Sequence, residues 1–205
     1  MKNFVYLVGA PGAREVAVID PAWDVDELLK TAEQDEKTIV AAIVTHHHYD
    51  HVNGLEALLA ARDVPVYAQR AEVDFADVLR ELGEAVKPVG PGEVIQVGPL
   101  GITCVHTPGH TPGSQCLLCG GALVSGDTVF VNACGRCDLD GGDPEQMHHS
   151  LHHVLGALPG GTTLYPGHDY GDVPVSSLQR EREQNPYFRL ADLGEFLALR
   201  LRPRR

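Results

Sequence analysis

At 205 residues the chain is long enough for one well-cored domain, spanning 1–205, and a second would be cramped. Hydrophobic residues at 43% and charged residues at 21% are ordinary for a globular protein, and no apolar run approaches the roughly 20 residues of a membrane helix. The formal net charge of -12 repels phosphate backbones and argues against a nucleic-acid partner.

The start, Met1 to Gly9, reads as a strand rather than a secretory leader, so a cytoplasmic location is expected. Five cysteines in that setting argue against a disulfide framework. Cys116/Cys119 and Cys134/Cys137 have the C-x-x-C spacing of structural zinc sites. Cys116 and Cys119 lie in a strand-like run, however, and should face opposite sides of it, so buried thiols are the better reading.

Phe4 to Val8 and Glu15 to Asp20 read as strands joined by a turn at Ala10-Pro11-Gly12-Ala13. A helix follows, with Val25, Leu28, Leu29 and Ala32 on one face. Thr38 to Val44 is apolar on both faces, as a buried central strand should be, and it runs into Thr45-His46-His47-His48-Tyr49-Asp50-His51. A helix is expected from about Asn53 to Ala61, then a strand from Val64 to Ala68, then a helix carrying Phe75, Val78, Leu79 and Leu82. The segment from Lys87 to Gly101, rich in Pro and Gly, reads as turns around a strand from Val94 to Val97.

Ile102 to His106 is a strand ending at Thr107-Pro108-Gly109-His110. Gln115 to Cys119 and Ala122 to Ser125 form a hairpin turned at Gly120-Gly121, which ends at Gly126-Asp127. Pro144 to Leu158 is a helix with Met147, Leu151, Val154, Leu155 and Leu158 on its apolar stripe; His149, His152 and His153 fall on its solvated side, with His148 at the margin. Thr162 to Tyr165 is a strand ending at Pro166-Gly167-His168-Asp169, and a helical tail covers Ser176 to Gln184 and Leu190 to Leu201. The mixed charges from Arg180 to Arg205 read as a solvated helix face. Strands first, then strands and helices in alternation, predict an α/β fold of sheets covered by helices.

Four strand ends finish in metal-ligand residue types: His46 to His51, His110, Asp127 and His168. Strand ends are where sites assemble, because the sheet fixes the backbone that aims the side chains. The pattern H-x-H-x-D-H supplies His46, His48, Asp50 and His51 from one tight loop, a mixture suited to zinc and accepted by iron or manganese. Crowding these groups behind a buried strand without a cation would be costly in desolvation. His47 should point away from its neighbours.

These segments, together with Thr111-Pro112-Gly113-Ser114, Thr128-Val129-Phe130 and Tyr170, resemble the glyoxalase II branch of the metallo-β-lactamase superfamily, in the family's order and over nearly the whole chain. The resemblance implies an αββα four-layer sandwich with two divalent cations, zinc first, along one edge. It implies that His46, His48 and His110 hold one cation, that Asp50, His51 and His168 hold the other, and that Asp127 bridges them. Asp50 and Asp127 are then the carboxylates of the reacting centre. A shared hydroxide would be the nucleophile on a thioester, plausibly a glutathione conjugate, whose thiolate leaves without a protein acid because its parent pKa is about 8.5. Asp20 resembles a family position that orients a ligand, and Arg136 and Tyr170 resemble positions that contact substrate. Arg136 also has Asp138 and Asp140 nearby as structural partners, and Tyr170 could instead pack on the C-terminal helix.

The resemblance loosens in places. Fewer than forty residues follow His168, where full-length glyoxalase II carries a longer helical domain. The segment Cys134 to Leu139 and the ending Ser176 to Pro186 also resemble persulfide dioxygenases, which use one Fe(II) on the residues matching His46, His110 and Asp127. Tyr49 and Cys137 stand where that branch tends to carry a small residue and threonine, which favours the hydrolase. Relatives have a further strand before Asn3, so an exposed sheet edge could pair with a second copy as a homodimer.

Overall fold

Alternation along the strands decides which way each residue faces. The computed structural model describes residues 2–202. Strands β1 (Tyr6–Val8), β2 (Glu15–Ile19), β3 (Thr38–Ile43), β4 (Val66–Gln69) and β5 (Val86–Val89) form a sheet in that spatial order. The β1–β2 pair is antiparallel and the rest are parallel. Val16 and Val18 of β2 face outward with Ala42 and Val44, while Ala17 and Ile19 face inward with Ala41 and Ile43. The outer face is covered by helices α1 (Val25–Gln34), α2 (Tyr49–Val52), α3 (Leu55–Ala61), α4 (Arg70–Phe75) and α5 (Asp77–Arg80), through Val25, Ala32, Leu55, Leu58 and Leu79.

The second sheet runs in the order β13-β12-β9-β8-β7-β6. Its members are β6 (Val94–Val97), β7 (Leu100–His106), β8 (Gln115–Cys119), β9 (Ala122–Gly126), β12 (Thr163–Pro166) and β13 (Ser176–Ser177). A short ribbon, β10 (Val129–Phe130) with β11 (Ala133–Cys134), stands beyond the end of β9. Ile102, Cys104, Leu117 and Val124 meet the inner residues of the first sheet, while Cys116, Leu123 and Leu164 face outward. There they pack on α6 (Pro144–His149) with its continuation, and on α7 (Leu178–Gln184), α8 (Pro186–Arg189) and α9 (Leu193–Arg200). Met147, Leu151, Leu155 and Phe196 are fully buried in that layer, each contributing about 1.5–3 kcal/mol of burial free energy. The result is the αββα sandwich that the motifs imply. Cys116 and Cys119 belong to opposite faces of β8, and all five cysteines are free thiols. Among the described residues no helix is long and apolar enough to cross a membrane.

Several local expectations are corrected. The helix drawn through Phe75, Val78, Leu79 and Leu82 breaks at Ala76, whose extended backbone (φ -98, ψ 118) leaves Phe75 and Val78 exposed while Leu79 is buried. The Pro-rich stretch before Val94 contains β5, and Pro88 fits because β5 is an edge strand, where a missing N–H breaks no essential ladder. The first helical turn after the histidine loop starts at Tyr49, so Asp50 and His51 are helical residues. The helix from Pro144 widens to a π-turn at Ser150–Val154 and tightens to 3₁₀ at Leu155–Ala157. The change of pitch turns His152 under the C-terminal helices: its Nε2 lies 3.2 Å from the Tyr187 carbonyl and its ring packs on Phe188 and Phe196.

The segment leading into β1 is held by the second sheet's loop. Phe4 N–H donates to the Gly167 carbonyl and Asp169 N–H to that of Lys2, so the segment before β1 pairs with the loop after β12.

Most charged residues described in the C-terminal stretch are solvated, as expected, but Glu181 and Arg200 are not. Glu181 is fully buried, accepts from Asn132 N–H at 2.7 Å and from Ser176 Oγ at 2.5 Å, and sits beside Asn185. Asn185 Nδ2 in turn donates to the Phe130 and Ala133 carbonyls, which anchors the β10–β11 ribbon.

Where α4 meets the His110 loop, a methyl at Gly113 would run into the backbone of Glu72. Gly113→Ala is therefore expected to destabilise by about 1–3 kcal/mol. Gly161→Ala, with open space around its Cβ, should stay within about 0.5 kcal/mol. Urea unfolding of both variants checks the contrast.

Candidate metal centre

The loops at one end of the two sheets bring together all the metal-ligand types picked from the sequence. His46 follows β3, His48 caps α2, and Asp50 and His51 lie on its first turn. His110 follows β7, Asp127 follows β9 and His168 follows β12. Ligand atoms of His46, His48 and His110 all lie within 4.8 Å of one another, as do those of His46, His51 and Asp127, and those of Asp50, His51 and His168. Asp127 faces both sides: its Oδ2 is 3.5 Å from His110 Nε2, while its Oδ1 is 3.3 Å from both His51 Nε2 and His168 Nε2. Asp50 Oδ2 is 3.5 Å from His168 Nε2 and 3.8 Å from His51 Nε2.

Each ring is aimed by what holds its other nitrogen. Asp20, buried and in a left-handed conformation (φ 51), accepts from Thr45 N–H at 2.7 Å and Thr45 Oγ1 at 2.6 Å. Its Oδ2 also takes His51 Nδ1–H at 2.9 Å, which leaves the His51 Nε2 lone pair facing inward. Thr45 Oγ1 lies 3.1 Å from His46 Nδ1. The Arg136 carbonyl accepts His110 Nδ1–H at 2.6 Å. His46 Nε2, His110 Nε2, Asp127 Oδ1 and His168 Nδ1 are buried yet have no hydrogen-bond partner.

Burial lowers the His46 and His110 imidazoles below their usual range, and burial with the neighbouring His110 pulls His48 down to about 4. Burial also opposes charge on His51, but the Asp127 and Asp20 carboxylates win and hold it well above the usual value. Asp127 likewise pays for burial and is still kept well below the usual carboxylate range by His51. The lowered imidazoles of His46, His48 and His110 beside the ionised Asp127 are a donor set for a divalent cation, which would take the place of the proton that Asp127 holds on His51. Three of the unpartnered buried atoms, His46 Nε2, His110 Nε2 and Asp127 Oδ1, face the centre and fit that group, because a cation satisfies them together, whereas each alone is a desolvation cost.

A cavity of about 390 Å³ opens onto the centre, lined by His48, Asp50, His110, Asp127 and His168 and walled by Phe130, Leu139 and Tyr170 among others. Tyr170 stacks on His168 (4.6 Å, interplanar 5°) and meets Phe130 at 5.5 Å, rather than packing on the C-terminal helix. Arg136 also borders the cavity, and its guanidinium makes an exposed bidentate pair with Asp138 at 2.9 Å. His106 turns aside to the Pro112 carbonyl and His47 to Glu72, at 2.6 Å.

Glu72 was not legible as a functional residue. It is 1% exposed and accepts from His47 N–H and Nδ1–H, Thr111 Oγ1 and Gly113 N–H at 2.6–2.9 Å, clamping the His46–His48 loop to the His110 loop. The available signal was a carboxylate at i with Ala76 and Leu79 at i+4 and i+7, a charge on an apolar stripe. Asn3 was missed too: its Nδ2 donates to Asp50 Oδ2 at 3.0 Å and to the Asp50 carbonyl.

Fold and centre together define a class, the αββα proteins that gather imidazoles and carboxylates on the loops at one end of the sandwich. Residues 2–168 match the metallo-beta-lactamase superfamily, and the chain belongs to it, among metallo-hydrolases and related enzymes whose fold binds divalent metals. It is 30% identical over 200 residues to the probable polyketide biosynthesis zinc-dependent hydrolase BaeB of Bacillus velezensis, covering 98% of this chain and 88% of that one. It is 37% identical over 186 residues to the hydroxyacylglutathione hydrolase of Alkalilimnicola ehrlichii, covering 90% and 68%. It is 30% identical over 202 residues to the mitochondrial persulfide dioxygenase ETHE1 of Bos taurus, covering 92% and 72%. The crystal structure of ETHE1 from Myxococcus xanthus superposes with a TM-score of 0.87 at 30% identity, covering 100% of this chain and 88% of that one. Both branches that the motifs resemble are thus among its relatives.

Because Asp20 fixes the tautomer and orientation of His51, Asp20→Asn should weaken metal affinity about 10–100-fold, the usual cost of losing such a partner. Competition with a chromophoric chelator measures it, and unchanged affinity would remove Asp20 from the site.

Proposed function

We propose that the chain is a thioester hydrolase that works with two divalent cations, zinc first, on a small conjugate of the hydroxyacylglutathione type. The observation that carries this reading is the split of Asp127 between its neighbours, with one oxygen towards His110 and the other towards His51 and His168. His46, His48 and His110 would hold one cation and Asp50, His51 and His168 the other, with Asp127 between them. Cations bound there supply Lewis acidity and bring the pKa of water towards neutrality.

The chain's own groups do the rest. Asp20, Thr45 and the Arg136 carbonyl keep the imidazole protons on the outer nitrogens, so the inner ones stay free. Asn3 steadies Asp50, and Phe130, Leu139 and Tyr170 give the acyl group an apolar wall. A thiolate leaving group asks little of a protein acid, since its parent pKa is about 8.5. The relatives named as zinc-dependent and hydroxyacylglutathione hydrolases support the reading.

A second reading, an Fe(II) persulfide dioxygenase, draws on the likeness to ETHE1 across 100% of this chain. It would use His46, His110 and Asp127, and would leave the grouping of Asp50, His51 and His168 without a cation to hold.

Metal analysis of the purified protein, paired with an oxygen electrode, separates the two. The expected result is about two zinc ions per chain and cleavage of S-lactoylglutathione without oxygen uptake, lost on chelation and restored by zinc. One iron per chain, with oxygen consumed and sulfite released from glutathione persulfide, would overturn the hydrolase.

A further inference from the structure

The two halves of the centre are supported from different sides, and one buried carboxylate serves only one of them. Glu72 lies on the first turn of α4, directly after β4. Its Oε1 accepts from His47 N–H at 2.7 Å and His47 Nδ1–H at 2.6 Å, and its Oε2 from Gly113 N–H at 2.8 Å. The Thr111 hydroxyl stands 2.8–2.9 Å from both oxygens. The fit is close, since α4 leaves no room for even a methyl at Gly113. Among the described residues, Glu72 has no hydrogen bond to Asp50, His51 or His168. Those are held elsewhere, His51 by Asp20 and Asp50 by Asn3.

The effect of this grip on the ligands follows from alternation. On extended backbone a residue between two ligands points away from both, because side chains take opposite sides in turn. His48 has such a backbone (φ -60, ψ 145), so pinning His47 outward aims His46 and His48 inward together. Thr111 is the neighbour of His110, so the same carboxylate sets the third ring against the first two. The three rings meet with centroids 4.6–4.7 Å apart. We propose that Glu72 is a positioning residue for one cation place alone: it sets His46, His48 and His110, and leaves Asp50, His51 and His168 to their own supports. The two places can then be emptied separately. That there are two cations rests on the hydrolase reading; the hold on the three histidines does not, because a single iron would also use His46 and His110.

Titration of the metal-free protein with cobalt(II), followed by its visible absorption, tests this. Wild type should take up about two ions per chain. Glu72→Gln should weaken one binding step about 10–100-fold, the usual cost of losing a partner behind a metal ligand, and leave the other nearly unchanged. Double variants assign the step. The loss should persist in His168→Ala, where the second place is disabled, and vanish in His48→Ala, where the first is. Should Glu72→Gln fail to fold, Thr111→Val, which withdraws one hydroxyl from the grip, gives the same selective loss at smaller size. Both steps weakened alike, as a general loosening of the fold would cause, overturns the proposal; so does no weakening, or a loss that vanishes in His168→Ala instead. A wild type that binds one cobalt sinks the two-cation reading. Glu72 is upheld even then if Glu72→Gln weakens that ion and His168→Ala does not, and is overturned otherwise.

Discussion

Turning a lone pair of each imidazole towards a common centre leaves the ring's other nitrogen to be anchored, and the rest of the site follows from how that anchoring is done. Asp20 holds His51, Thr45 stands at His46, and a main-chain carbonyl, that of Arg136, holds His110. These anchors come from separate segments: the end of β2, the end of β3 and the loop after β11. A small shift of one segment against another would turn a ring and lose the centre. Glu72 resists that shift, since one buried carboxylate ties the β3 loop to the His110 loop through His47, Thr111 and Gly113. Its ionised state is kept although burial opposes it, because His47 and Thr111 hydrogen-bond to the charged form.

The parts of the molecule that were legible in the sequence share a physical cause. Strand alternation is local, so β2, β3, β7, β8 and β9 could be read from period and turn residues, and Gly120-Gly121 (φ 53 and 83) supplied the hairpin turn. The ligand types were legible because they cluster in the short segments that follow β3, β7, β9 and β12. What could not be read was non-local. No sequence pattern says that the Arg136 carbonyl reaches back to His110, or that the segment before β1 pairs with the loop at Gly167. The π-turn at Ser150–Val154 was hidden because helical projection assumes one pitch throughout, and a wider turn moved His152 from the expected solvated side to a half-buried one.

Glu72 was passed over, and Glu181 and Arg200 were misread, for one reason. Each is a charged residue in a run of mixed polarity, and such a run reads as solvent-facing unless its apolar neighbours are projected with it. Phe196 and Arg200 stand i and i+4 on α9, as Leu178 and Glu181 stand i and i+3 on α7, and all four are buried. A charge in line with a buried apolar residue one turn away is thus a better sign of function than a charge alone. Here the C-terminal helices are not a coat over a finished domain. Glu181 and Asn185 fix the β10–β11 ribbon that presents Phe130 to the cavity.

The charge distribution bears on what can enter. A net charge of -12 spread over the surface would repel an approaching anion, but at physiological salt such charges are screened beyond about 8 Å. Inside the mouth the balance is closer, because Arg136 and Arg200 border the cavity beside Asp50 and Asp127, and bound cations would offset those carboxylates. With Asp138 cancelling Arg136, the local field is set largely by the ligand centre and Arg200, in a low-dielectric wall where a charge acts more strongly than at the surface. For a small anion the opposition outside is therefore largely screened, whereas a long polyanion would keep most of its charge against the acidic exterior.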